Sequence, residues 1–272
     1  MYRVLADGNG GTALVLLETN SRECKYVPPL PAEKLAVQWD NVALLLHGDS
    51  LTQEVSKYRR PFNTVQLTSE PNAFNTGNGF RFTTSAQRAS VNGDAALNIG
   101  TKAFCFEVRL KVSTLNTGLN GIITNRYTVT HPETYWTCFI SSEGLFLVFG
   151  KQPGEYTNIN WPWPNNSFDL NQDVPIAVQR DSDGVIKAYM NGRQLIDYKV
   201  AGPGTSPTYG PITSVPLINK SDLGNTIQTL GIGQGSAGSA FIGLIGEIRL
   251  VIGQHRFLLD QYVTDSTPFP ES

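Results

Sequence analysis

Between residues 104 and 112 apolar and polar positions alternate. Phe104, Phe106, Val108, Leu110 and Val112 fall on one side, and Glu107, Arg109 and Lys111 fall on the other. A period of two marks a half-buried antiparallel strand, because successive side chains leave opposite faces of the pleat. The charged side is therefore expected to be solvated, with ion pairs across strands. Residues 173–200 carry a second signal: three runs rich in β-branched and aromatic residues, separated by Asp183-Gly184 and Asn191-Gly192. Those pairs suit the positive-φ positions of type I′ turns, so the stretch predicts a three-strand antiparallel meander.

Further strands follow the same logic. Val42–Leu46 is short and wholly apolar, and Tyr135–Ile140 and Leu145–Phe149 flank Ser141-Ser142-Glu143-Gly144, a hairpin signal. Thr226–Gly233 and Phe241–Ile252 close the series, with Gly243 and Gly246 where a long strand would bend or bulge. No window of helical length holds a period of 3.6, and Arg256–Tyr262 allows at most a short helical turn. Long irregular loops are predicted at 150–172 and 201–225, and loops of such length are often functional. The predicted core includes Leu44, Leu46, Phe106, Val108, Leu110, Phe139, Val178, Tyr189, Ile248 and Leu250. The chain reads as all-β.

Residues 1–35 stand apart. Tyr2–Leu5 and Ala13–Glu18 are apolar runs joined by Asp7-Gly8-Asn9-Gly10-Gly11-Thr12, and Val27-Pro28-Pro29-Leu30-Pro31 follows as a stiff linker that cannot continue a ladder. A lone two-stranded hairpin is marginal in water, so it must dock on its own domain, on a copy of itself or on a partner. The division expected is 1–35, an N-terminal hairpin and linker acting as an attachment element, and 36–272, one sandwich domain with an extended C-terminal tail.

Composition narrows the function. With 272 residues, Gly 26, Pro 16 and 16% charged residues, the chain suits one turn-rich β domain with an appendage. Net charge is −2, and the one basic knot, Lys57-Tyr58-Arg59-Arg60, is too short to track a phosphate backbone, so nucleic acid is not an expected partner. No run approaches the ~18 apolar residues of a membrane span, so no membrane insertion is expected. The start lacks a basic region followed by an apolar one, so no signal peptide is expected either. Cys24, Cys105 and Cys138 are too few for a disulfide framework. Three free thiols in a protein made in a reducing cytoplasm is the expectation, with pairing of Cys105 and Cys138 left open.

The order of motifs resembles a known family. Trp39-Asp40-Asn41-Val42 through Asp49, Asn78-Gly79-Phe80-Arg81-Phe82, Phe104–Val112, Ala177–Asp181 with Ile186–Gly192, and Phe241–Leu250 follow one another as in laminin-G-like, concanavalin A-like jelly rolls of tailed-bacteriophage virion proteins. Thr264–Pro270 is similar to the Thr-Pro-rich exit of such domains. The resemblance covers residues 37–270, while 1–35 match nothing. It implies a jelly-roll sandwich with a short hairpin extension, in a non-enzymatic structural or adhesion protein of the virion: a tail, tail-fibre or baseplate component. A capsid decoration or head-fibre protein is the alternative. The implied partners are other virion proteins, further copies of the chain (a trimer being the commonest phage appendage state) and a host-surface glycan.

The fold hosts lectins, hydrolases and structural modules alike, so the site must be argued separately. Hydrolases of this sandwich place their acids as Glu-x-Asp-x-Glu on one strand. Here Glu107-Val108-Arg109-Leu110-Lys111 offers one acid between bases, so a polysaccharide-degrading enzyme is disfavoured. Gly231-Ile232-Gly233-Gln234-Gly235 lacks a following helix to bind phosphate, and no cofactor is implied. His47, His131 and His255 stand far apart, so no zinc site is expected. Asp181, Asp183 and Asn191 offer oxygens of the kind calcium takes, though Asp and Asn also fill tight turns for local reasons. The binding candidates are Tyr156, Trp161, Trp163 and Asn165, with Asn158 and Asn160, in a polar segment whose indoles either present flat faces to sugar rings or pin the segment onto the sandwich.

Overall fold

A computed structural model describes residues 2–6, 12–16, 37–71, 77–115, 118–125, 134–151, 155–201, 208–211, 229–234, 240–258 and 269. The strands in chain order begin with β1 (Tyr2–Ala6), β2 (Thr12–Leu16), β3 (Val42–His47), β4 (Phe62–Val65), β5 (Thr68–Pro71), β6 (Asn78–Phe82) and β7 (Arg88–Val91). They continue with β8 (Phe104–Val112), β9 (Asn120–Thr124), β10 (Thr134–Ser141), β11 (Gly144–Lys151), β12 (Glu155–Pro162) and β13 (Asp173–Arg180). The last are β14 (Ile186–Met190), β15 (Arg193–Gln194), β16 (Asp197–Ala201), β17 (Thr208–Pro211), β18 (Leu230–Ile232) and β19 (Gly243–Ile252). The described residues contain no α-helix, only short 3-10 turns at Trp39–Asn41, Ala95–Leu97 and Pro164–Asn166.

Strands β1 and β2 pair antiparallel with Tyr2 opposite Leu16. The Pro-rich stretch 27–31 and Cys24 lie outside the described residues. The remaining strands form two antiparallel sheets. One has nine strands in the order β17-β16-β12-β11-β10-β9-β18-β7-β4. The other has eight, in the order β15-β14-β13-β8-β19-β6-β5, with β3 also paired to β19. Their facing sides enclose one apolar core, which contains eight of the ten residues predicted for it. Phe139 and Tyr189 are buried on the other faces of their sheets. Phe139 stacks on Phe146 with ring centroids 4.7 Å apart, and Tyr189 packs on Phe257 at 5.0 Å.

The spine of the eight-stranded sheet is β19, paired with β8 from Gly243 opposite Val112 to Ile252 opposite Phe104. Its register shifts between Ile245 and Glu247, so Gly246 is the extra residue of a bulge. At Gly243, with φ 151°, an added Cβ would stand 2.2 Å from the Lys111 carbonyl oxygen, so only glycine fits there.

Local turns explain where the meander expectation held and where it failed. Asn191 and Gly192 have φ of 51° and 77°, as a type I′ turn needs. Between β13 and β14 only Gly184 is left-handed (φ 88°), and its N–H donates to Asp181 O at 3.2 Å. That is a type I turn closed by a glycine, in place of type I′. The third strand is cut to Arg193–Gln194. Leu195 then inserts into the core, and β16 joins the other sheet with Tyr198 and Val200 packed inward. Residues 150–172 are also not one irregular loop. Strand β12 runs through them, because Ile159, Trp161 and Trp163 recur at alternate positions and point into the core.

The largest departure from the sequence reading concerns the charged side of β8. Glu107 and Arg109 are buried, at 6% and 2% exposure, and Lys111 is half-buried. Segments from both chain directions cover this face. Val37, Trp39 and Val55 pack on one part of a second apolar cluster, and Phe257 and Phe269 belong to that cluster. Glu107 sits between two guanidinium groups: Arg249 donates to its Oε2 from Nε at 2.8 Å, and Arg256 donates to its Oε1 from Nη1 at 2.5 Å. Glu247 meets His47 Nδ1 at 2.6 Å and Arg109 Nε at 3.3 Å. Burial pushes the Glu107 carboxyl up, but Arg249 and Arg256 outweigh it and hold the group below its ordinary range. Asp94 is likewise lowered, chiefly by the hydrogen bond from Arg60.

Two expectations follow. Phe106→Ala should cost ~3–5 kcal/mol by denaturant unfolding, as buried aromatic truncations do. Glu107 has a lower pKa folded than unfolded, so its stabilisation is present above the ordinary carboxylate range and is lost as pH falls through the folded value. The melting temperature should therefore fall as the pH is lowered through and below the ordinary carboxylate range. Glu107→Gln should flatten that drop and cost about 3–5 kcal/mol at neutral pH, since it strands two buried cations.

Candidate functional site

The crossover from β15 to β16 leaves an open cleft of about 1410 Å³ at the sheet boundary. One wall comes from the β10–β11 turn (Ser142, Glu143) and the exit of β12 (Pro162 to Asn165). The other comes from the β14–β15 turn and the crossover, Met190 to Lys199.

The first wall is rigid for reasons written into its sequence. Pro164 opens a 3-10 turn, and Asn165, exposed, takes the left-handed conformation (φ 57°, ψ 22°) that Asn tolerates. Trp163 is 2% exposed. Its Nε1 donates to Ser141 O at 2.7 Å, and its ring meets Phe168 edge-on at 4.8 Å. The indole is thus held by one hydrogen bond and by packing, and it forms floor more than platform. On the second wall Leu195 turns inward, which forces its neighbour Ile196 out to 58% exposure beside half-buried Tyr198. An isoleucine that exposed beside a tyrosine is an apolar contact surface within a polar rim. Gln194 Oε1, in the same wall, is buried without a hydrogen-bond partner. Glu143 and Asp197 balance Arg193 and Lys199 along the lining, so formal charge gives no preference for a polyanion.

Of the sequence candidates, the cleft brings together Trp163 and Asn165. Trp161 is fully buried in the sandwich core, where its face meets no solvent, and Asn160 is buried. Tyr156 is exposed at 42%, but it does not line the cleft. Sequence reasoning missed Arg193, Ile196 and Tyr198, because it placed them in the third strand of a meander. The available signal was Leu195-Ile196, two adjacent apolar residues that cannot both face inward from one strand.

The other candidates resolve by geometry. Asp181 Oδ1 accepts from the Asp183 and Val185 N–H groups, each at 2.9 Å, so that oxygen closes the turn. Among the described residues no cluster of three His, Cys, Asp or Glu side chains could hold a metal. Cys105 and Cys138 are both free. They lie in different apolar clusters, and burial pushes both thiols up.

No family model matches the sequence, and no curated protein matches it. Solved structures do. Domain 4 of AbnA, a GH43 extracellular arabinanase from Geobacillus stearothermophilus, in complex with arabinotriose, aligns with a TM-score of 0.56 at 12% identity. That alignment covers 80% of this chain and 94% of that one. The binding domain of Paraclostridial Mosquitocidal Protein 1 aligns at 0.54 with 12% identity over 84% of this chain, and the receptor binding domain of botulinum neurotoxin D at 0.53 with 13% identity over 78%. The chain spans about half the length of these two toxin domains, 50% and 49%. Identities this low speak for the fold, an all-β jelly-roll sandwich shared with binding domains.

Two substitutions should separate floor from platform. Trp163→Ala should destabilise the chain by about 3–5 kcal/mol. Ile196→Ala, at an exposed position, should change stability by no more than about 0.5 kcal/mol. Thermal and denaturant melts of the two variants check both.

Proposed function

We propose that this chain is a non-enzymatic adhesion module of a tailed-phage virion, a tail, tail-fibre or baseplate component that binds a host-surface glycan in the end cleft. The observation that carries the reading is the apolar step of Ile196 and Tyr198, set in a rim of Asn165, Asn191, Arg193 and Gln194 over the fixed Trp163 floor. A sugar presents an apolar ring face and a fringe of hydroxyls, and this lining complements both. Fold likeness to two toxin binding domains, and to an arabinanase domain described in complex with arabinotriose, supports the same class. Against catalysis in the cleft stands the environment of the two acids that line it: Glu143 and Asp197 are exposed and lack the apolar surroundings that poise a general acid. In this reading residues 1–35 attach the domain to the particle, and further copies of the chain assemble around that attachment.

Titration of the purified chain with polysaccharide from the host surface tests the site. Ile196→Asp combined with Arg193→Ala should weaken binding roughly 10–100-fold with an unchanged melting temperature. Unchanged affinity would remove the cleft from the proposal, and the appearance of new reducing ends would make the protein an enzyme. Deleting residues 1–31 should leave glycan binding intact while the domain no longer enters particles. Imaging of particles carrying the tagged protein should place it on the tail, and a position on the head would assign it to capsid decoration.

A further inference from the structure

One polar atom in the second wall of the cleft has nothing to bond to. Gln194, half-buried at the end of β15, lines the cleft, and its Oε1 is buried without a hydrogen-bond partner. A carbonyl oxygen withdrawn from water and left unpaired destabilises the fold. A leucine of similar size would fill the place without that cost, so the amide is explained by a donor from outside the chain. Turning the oxygen toward the cleft breaks no hydrogen bond, because it makes none.

The surrounding lining defines the rest of the ligand group. Arg193, exposed and next to Gln194 in the strand, brings guanidinium donors to the same wall. Ile196, 58% exposed, and half-buried Tyr198 add the apolar step. An acceptor, a donor and an apolar surface on one wall match the three parts of an acetamido group. We propose, resting on the reading of this cleft as a glycan site, that it selects sugars bearing that group. The N–H of the acetamide donates to Gln194 Oε1, its carbonyl accepts from Arg193, and its methyl lies on Ile196 and Tyr198. A hydroxyl at the same carbon supplies a donor and an acceptor but no methyl. A free amine supplies no carbonyl and sets a second cation beside Arg193.

Three linear tetramers of one linkage, built from N-acetylglucosamine, glucosamine and glucose, differ only in the substituent on the second carbon. Calorimetric titration of the full chain at about pH 6, where the free amine is charged, should show the acetylated tetramer bound about tenfold or more tightly than either of the others. Gln194→Leu should erase that preference with an unchanged or raised melting temperature, since no hydrogen bond is lost. Gln194→Glu keeps an acceptor and adds a negative charge, so it should shift the preference toward the amine tetramer. If the three tetramers bind equally, if none binds, or if the preference survives in Gln194→Leu, the cleft does not select acetamido sugars. Those outcomes leave the cleft itself as a glycan site, whereas host polysaccharide bound unchanged by the Ile196→Asp, Arg193→Ala variant removes the site and this selectivity together.

Discussion

Both faces of the β8–β19 pair are buried, and the structure depends on how the charged one is satisfied. A carboxylate taken from water costs several kcal/mol unless cations and hydrogen bonds replace its hydration. Glu107 and Glu247 therefore require Arg249, Arg256, Arg109 and His47 at fixed positions. That requirement dictates which segment may cover the sheet. Arg256 and Phe269 come from the C-terminal segment, and Gln179 supplies the amide that holds its backbone.

The end cleft arises from a different constraint. A strand places successive side chains on opposite faces, so the adjacent Leu195 and Ile196 cannot both face the core between the sheets from one strand. The chain resolves this by leaving the eight-stranded sheet at Gln194 and entering the nine-stranded sheet at Asp197. Leu195 fills the core, Ile196 is pushed outward, and the gap between the sheets at that end becomes a cleft. Rigid strands on both sides then position a few turn residues, the usual arrangement by which a sandwich carries a binding site on loops. Because this architecture serves many activities, the lining of the cleft and not the fold holds the functional information.

What the sequence determined by itself was what local periodicity and turn chemistry can encode. The all-β class, strands β3, β8, β10, β11, β13, β14 and β19, the Asn191-Gly192 turn, the bulge at Gly246 and most of the core are set by neighbours a few residues apart. Strand β12 was legible in principle, through the alternation of Ile159, Trp161 and Trp163, but the intervening Asn158 and Asn160 resemble loop residues. Tertiary structure alone decided the rest. Glu107 reads as a solvated strand residue because its partners, Arg249 and Arg256, lie 142 and 149 positions away. Trp161 and Trp163 share one polar segment, yet only Trp163 reaches the cleft, because that depends on where the crossover from the other sheet arrives. Alternation reveals which residues share a face of a strand; what covers that face is settled by chain segments distant in sequence, whose packing no local pattern records.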